Sequence, residues 1–213
     1  MQRTMLIQCD FDGTITEEDV SFALLDAFAQ GDWREWFQHY RQDRISVGEF
    51  NTRAFAMVKA SKKELLGVIR SKTRVRAGLH ELVDYCRSRG FRFVIVSNGL
   101  DFYIKAILED ANLGDIETYA AKTRFYRRGL KVHYIGPDGI PLMSDFKEAY
   151  AKLFLKQGHR LVYVGNGPSD VAPALHAHRV FARDGMLDSC REMNLECTPF
   201  NDLNDIVRGL ESL

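Results

Sequence analysis

Apolar and polar positions follow two rhythms along the chain. Met5 to Cys9 is a run of strand formers, and Phe91 to Val96 and Leu161 to Val164 are two more. Each is short, apolar and closed by small or polar residues, which predicts a buried strand. Between the first two runs the apolar spacing changes to about 3.6 residues, the helical period. Val20, Phe22, Leu24, Leu25 and Phe28 follow it, as do Phe50, Phe55 and Val58, and then Leu65, Leu66 and Ile69. Start signals precede these stretches. Thr16-Glu17-Glu18-Asp19 is box-like, while Ser46-Val47-Gly48-Glu49 and Ser61-Lys62-Lys63-Glu64 read as full capping boxes. A further helix is expected over 33–41.

Beyond this helical stretch the rhythms alternate. A helix over 79–89 is stopped by Gly90. The second apolar strand ends in Ser97-Asn98-Gly99, and Asp101 is placed to cap a helix running to Glu109. Residues 116–134 are rich in β-branched and aromatic side chains, with a turn at Arg127-Arg128-Gly129 and a second at Pro137-Asp138-Gly139. Ser144 or Asp145 opens a helix through Lys147 to Lys156, ended by Gly158. The third strand runs into Gly165-Asn166-Gly167-Pro168-Ser169-Asp170 and a short helix. Val180-Phe181-Ala182 reads as a final strand and 202–210 as a closing helix. Strands alternating with helices predict an α/β fold with a parallel sheet and right-handed crossovers. Residues 16–75 form a small helical module, and 1–15 with 76–213 form the core.

Composition narrows the function. The chain has 213 residues, 29 basic and 29 acidic, and 46% hydrophobic content, enough for one sizeable core. Zero net charge gives no footprint for nucleic acid. Cys9, Cys86, Cys190 and Cys197 show no Cys-x-x-Cys spacing, which argues against a zinc or redox motif. They are expected to be reduced thiols in a cytoplasmic protein. No signal peptide and no membrane span are expected, and the chain is read as a monomer or homodimer.

The chemistry gathers at the strand ends. Period two sends Asp10 and Asp12 to one side of an extended chain, with Phe11 opposite, before Gly13 breaks the strand. Two carboxylates at the C-terminal end of such a strand sit where open α/β sheets bind ligands. They can bind a hard divalent cation, or divide the roles of nucleophile and general acid. Hydrolysis of a phosphomonoester needs charge compensation, an in-line nucleophile and an acid for the leaving oxygen. Asp10 can attack phosphorus, and Asp12 can protonate the leaving alkoxide and then activate water. Ser97 with its loop amides can hold phosphoryl oxygens, and Lys147 can supply a fixed positive charge. Asn166 and Asp170 can complete a Mg²⁺ shell. Taken singly, each also suits a plainer role: a polar turn, a cap, a solvated lysine or an Asx-turn.

The ordered set Asp-x-Asp-Gly-Thr, Ser after a strand, Lys, and Gly-Asn-Gly-x-x-Asp resembles the haloacid dehalogenase superfamily, and more narrowly its phosphoserine-phosphatase-like branch. The resemblance implies a Rossmann-like core, a helical cap inserted after the first motif, and Mg²⁺-dependent phosphatase activity on a small phosphorylated metabolite through an aspartyl-phosphate. It implies Asp10 as nucleophile, Asp12 as acid/base, and Ser97 and Lys147 as phosphate partners. Thr14, Asn98 and Gly99 join the expected substrate contacts, and Glu17 resembles a substrate-contacting cap position. Asp10, Asp12, Asn166 and Asp170 form the implied metal shell, Asp12 through its carbonyl. Asp-Phe-Asp-Gly-Thr-Ile-Thr and Val180-Phe181-Ala182-Arg183-Asp184 look like the 2-hydroxy-3-keto-5-methylthiopentenyl-1-phosphate phosphatases of methionine salvage. Asn166 departs from the family pattern, which has Asp there; an amide oxygen still coordinates but brings no charge. That departure keeps open an impaired or non-catalytic phosphate-ester-binding protein on the same fold. A phospho-acceptor signalling module fits less well, because such domains are shorter and lack the helical insertion. Dehalogenation needs no acid at position 12.

Overall fold

The computed structural model describes residues 4–126 and 129–212. Its centre is β1, Met5–Cys9, whose last four residues are buried. β2 (Arg92–Leu100) and β5 (Arg160–Gly165) pair with it in parallel on either side. The seven-stranded sheet has the order β4-β3-β2-β1-β5-β6-β7, with β3 at Glu117–Tyr126, β4 at Gly129–His133, β6 at Arg179–Ala182 and β7 at Thr198–Pro199. Among the strand pairs of the described residues, only β3–β4 is antiparallel. Parallel strands need crossovers, and helices supply them. Because β1 lies between β2 and β5, the loops following these three strands are immediate neighbours at the carboxyl edge. The expected α/β class and parallel sheet are found. β7 lies beyond the strand expected to be last, and Arg127 and Arg128 of the expected turn lie outside the described residues.

Four helices stand between β1 and the next core helix: α1 Val20–Phe28, α2 Trp33–Arg41, α3 Val47–Ala56 and α4 Lys62–Lys72. Ser61 and Glu64 form the full capping box at α4. Ser46 accepts from Glu49 N–H, but Glu49 pairs with Arg53 and no return bond to Ser46 is seen. The cap of α1 is Asp19, which accepts from Phe22 N–H at 2.9 Å, not Thr16. Thr16 is drawn into the loop instead, its hydroxyl donating to the Glu18 carbonyl at 2.7 Å. Where this segment leaves and rejoins the core, Thr16 bridges Val75, Glu17 N–H donates to Arg74 O at 2.9 Å, and Arg76 N–H donates to Ile15 O at 2.7 Å.

The remaining helices are α5 Leu79–Ser88, α6 Asp101–Asp110, α7 Phe146–Lys156, α8 Val171–Ala174, α9 Asp184–Glu192 and α10 Leu203–Glu211. Asp101 does not cap α6: Leu100 holds the cap position, and Asp101 accepts from Thr123 N–H at 3.0 Å. The cause lies in β2. It continues through Ser97-Asn98-Gly99, with its register against β3 shifting between Val96 and Leu100. Such a bulge re-aims side chains at a sheet edge. Asp145 precedes α7 in a left-handed conformation, φ 56°, and makes no side-chain cap. Helix α9 was not foreseen from the sequence. Among the described residues no helix is long and apolar enough to cross a membrane.

Candidate active site

The chain leaves β1 at Cys9, and Asp10 N–H still donates to Val164 O at 2.9 Å. It then wraps around the Phe11 carbonyl, which accepts from the amides of Thr14, Ile15 and Thr16. Asp10 and Asp12 therefore stand on a tight loop rather than on the strand itself. Gly13 has φ +74°, and a Cβ there would strike the Asn166 side-chain amide, so the position needs glycine on both counts. The buried Arg76 guanidinium fastens this loop, donating to the carbonyls of Gly13 (2.9 Å), Thr14 (2.8 Å), Thr16 (3.1 Å) and Asn201 (3.2 Å).

Lys147 lies in the first turn of α7, and its ammonium is buried between two carboxylates. Nζ is 2.7 Å from Asp10 Oδ1 and 2.6 Å from Asp170 Oδ1. The buried amide of Gln8, in β1, donates to Lys147 O at 2.9 Å and fixes the start of that helix. Asp170 is fully buried, and its acceptor sites are taken. Oδ1 also accepts from Tyr163 hydroxyl at 2.6 Å, and Oδ2 from the amides of Asn166 (3.0 Å) and Gly167 (2.9 Å). A carboxylate has about four lone-pair sites, and four donors fill them. Asp170 thus holds Lys147 and the 166–167 loop together.

One cavity of about 230 Å³ is lined by Asp10, Asp12, Ser97, Asn98, Gly99, Lys147, Asn166 and Asp170. Side chains expected from separate strand ends are thereby brought together. Two of the expected positions do not line it. Thr14 is buried beneath the loop, its hydroxyl donating to Asn166 Oδ1 at 3.2 Å. Glu17 is exposed, held outward by its backbone bond to Arg74. The acidic residue from that segment which reaches the cavity is Asp19. Phe22, Phe37, Tyr40 and Phe50 from α1–α3 make an aromatic wall, with Phe37 and Phe22 rings 4.9 Å apart. Trp33 is buried in the packing behind it, and Trp36 stacks on Arg53. Asn51 of α3 donates to Asn98 O at 3.0 Å and to Tyr134 hydroxyl at 2.6 Å, joining that helix to the Ser97 segment.

Sequence reasoning missed Arg76, Tyr103, Asp19 and Asn51. All four act across distances of 30 residues or more or through an unforeseen cap, and only Asp19, an N-cap residue type ahead of an apolar stretch, carried a local signal.

Electrostatics follow from burial. Asp10 is raised to about 7 by burial and by the Asp170 charge, with Lys147 pulling the other way. Burial and the nearby Asp19 push Asp12 well above the usual carboxylate range, while a hydrogen bond from Tyr103 opposes this. Asp19 rises to about 6, chiefly by burial. For Lys147 burial works against the charge, but Asp10 and Asp170 more than offset it and keep the ammonium protonated. Crowded carboxylates around one cation favour a further positive charge. Asp10, Asp12 and Asn166 offer only oxygen donors, the set a hard cation such as Mg²⁺ takes while keeping several waters. No group of three or more His, Cys, Asp or Glu suited to a metal occurs among the described residues, in keeping with Asn at 166.

An α/β sheet with Asp-x-Asp at the tip of its central strand, and serine, lysine and aspartate from neighbouring tips, defines a hydrolase class. The chain belongs to the haloacid dehalogenase-like hydrolases, whose family model matches residues 7–175. Within that family it is similar to the 2-hydroxy-3-keto-5-methylthiopentenyl-1-phosphate phosphatase of Bacillus velezensis, 31% identical over 100% of this chain and 92% of that protein. The enzyme of the same name from Geobacillus kaustophilus is 30% identical over 100% of this chain and 98% of its own. In fold it is similar to a phosphoserine phosphatase solved as a phospho-aspartyl intermediate analogue, with TM-score 0.72, 18% identity, and 97% and 99% of the two chains covered.

Proposed function

We propose that this protein is a Mg²⁺-dependent phosphatase that hydrolyses a small-molecule phosphomonoester through an aspartyl-phosphate on Asp10. The observation that carries the reading is the buried Lys147 ammonium 2.7 Å from Asp10, in the cavity that Ser97 also lines. That contact partly offsets the cost of ionising Asp10, which burial and Asp170 raise, and it stabilises charge on the transferring phosphoryl group. Ser97 and the amides around it take the non-bridging oxygens. Asp10 oxygen bonds to phosphorus as the ester P–O bond breaks, and the leaving oxygen takes a proton from Asp12. Asp12 then removes a proton from water, whose oxygen attacks phosphorus and frees phosphate and Asp10. Asp10, the Asp12 carbonyl and Asn166 would hold Mg²⁺, which would supply positive charge to offset the phosphate dianion. Asp170 acts through Lys147 as a positioning residue.

In this reading residues 16–75 are a cap on a core of 1–15 and 76–213, and the aromatic wall of α1–α3 selects the leaving group. Similarity to the methylthiopentenyl phosphatases makes a methionine-salvage ester with an apolar thioether tail the first substrate to try. The reading places the reaction in the cytoplasm, where four free thiols stay reduced.

The test is phosphate release from a panel of small phosphomonoesters with and without Mg²⁺, with Asp10→Asn as control. Mg²⁺-dependent release that the control lacks is expected; metal-independent turnover, or turnover by Asp10→Asn, would contradict the mechanism. Asn166 favours a second reading, an ester-binding protein without turnover. It is the outcome if no ester is cleaved while phosphate esters still raise the melting temperature.

A further inference from the structure

The Asp12 carboxyl is held from two sides. Oδ1 accepts from Val20 N–H at 3.2 Å, and Oδ2 accepts from the Tyr103 hydroxyl. Tyr103 belongs to α6 and is fully buried, its ring packed 6.3 Å from Phe11 and 5.6 Å from Phe102. Its hydroxyl also lies 2.8 Å from Ser21 Oγ, in α1. A phenol has one proton to give. With that proton directed at Asp12, the phenol oxygen accepts from Ser21, so the donors run in one direction, Ser21 to Tyr103 to Asp12. A second observation bears on the same contact. A Cβ at Gly99 would collide with both the Tyr103 hydroxyl and the Asp12 carboxylate. The segment beside Ser97 is thus bare of side chain where these two groups meet.

We propose that Tyr103 is a positioning residue that fixes the Asp12 carboxyl plane for proton transfer to the leaving oxygen, a role that rests on the reading of Asp12 as general acid. Without the hydroxyl, only the longer bond from Val20 restrains the carboxyl, which then turns about its Cβ–Cγ bond. Tyr103 keeps its own proton throughout; the proton that moves is the one Asp12 gives as the ester P–O bond breaks. General acid help matters most when the leaving group is a poor one. An alkoxide needs it, whereas p-nitrophenolate leaves unprotonated.

The experiment compares kcat/KM, which reads phosphoryl transfer to the enzyme, for n-propyl phosphate and p-nitrophenyl phosphate with Mg²⁺. Tyr103→Phe is expected to lower the value for the propyl ester about 10- to 100-fold and to leave that for the nitrophenyl ester within about twofold. Asp12→Asn is expected to show the same imbalance, larger. Loss on both esters alike, or on neither, overturns the positioning role while leaving the reading of Asp12 intact. Absence of any imbalance in Asp12→Asn removes the acid role and the proposal with it. Thermal melting checks the fold of Tyr103→Phe. If it does not fold, Ser21→Ala, which keeps the aromatic packing and removes the donor to Tyr103, must shift the ester ratio in the same direction, and an unchanged ratio overturns the proposal.

Discussion

Lys147 Nζ stands 2.6 Å from Asp170 Oδ1, and both side chains are almost wholly buried. Removing one partner of such a pair strands the other without water, at a cost of about 3–5 kcal/mol. Asp170→Asn also sets an amide N–H against donors, either the amides of Asn166 and Gly167 or Lys147 and the Tyr163 hydroxyl. Urea unfolding should show Asp170→Asn less stable by about 3 kcal/mol. A loss under about 1 kcal/mol would mean that water already compensates the pair.

Arg76 serves four carbonyls with one planar guanidinium. Lysine has three donors on a flexible stem and cannot reproduce that fork. Arg76→Lys should therefore cost about 2–4 kcal/mol through unsatisfied buried carbonyls and loosen the Asp10–Asp12 loop. Urea unfolding measures the first effect, and faster amide hydrogen exchange at residues 13–16 measures the second. Unchanged exchange would contradict the clasp.

Asp19 rises from 3.8 to about 6 on folding. A carboxyl raised in the folded state binds protons more tightly there than in the unfolded chain, so its contribution falls as pH climbs from near 4 through about 6. Asp19→Asn keeps an acceptor for Phe22 N–H and removes the titration. The melting temperature of Asp19→Asn minus that of wild type, in chelator, should increase between pH 5 and 8, by an amount worth about 1 kcal/mol after allowance for partial exposure. A difference that is flat or falls with pH would contradict the shift.

Asn166→Asp adds a negative charge to the proposed cation site. Mg²⁺ affinity measured by calorimetry should rise about tenfold, or about 1.4 kcal/mol. Equal or weaker binding would show that Asn166 takes no part in holding the ion.

How far the sequence reveals this molecule depends on the range of the interaction. Asp10, Ser97 and Asn166 follow short apolar runs, and local pattern places each at a strand tip. Parallel pairing of β1 with β2 and β5 then brings the tips together. Lys147 was legible only through the helix it begins. Tyr103 and Arg76 have no local pattern, because their hydrogen bonds span 82 or 91 residues and 60 or more. Asp101 misled because the β2 bulge moves the helix start by one residue and gives its carboxylate another donor. Helix α9 was hidden by its opening, Asp184-Gly185, which reads as a turn; Asp184 takes φ 46°, and Met186 N–H donates to Asn166 O at 2.9 Å.

The central claim is a covalent one: phosphoryl transfer to Asp10. Rapid acid quench of the Mg²⁺-loaded enzyme during turnover of a ³²P-labelled ester should trap label on protein, released by hydroxylamine as an acyl phosphate must be and mapped to the peptide bearing Asp10. Asp10→Asn should trap none. Turnover with no trapped label at any quench time, or label on another residue, would contradict the account.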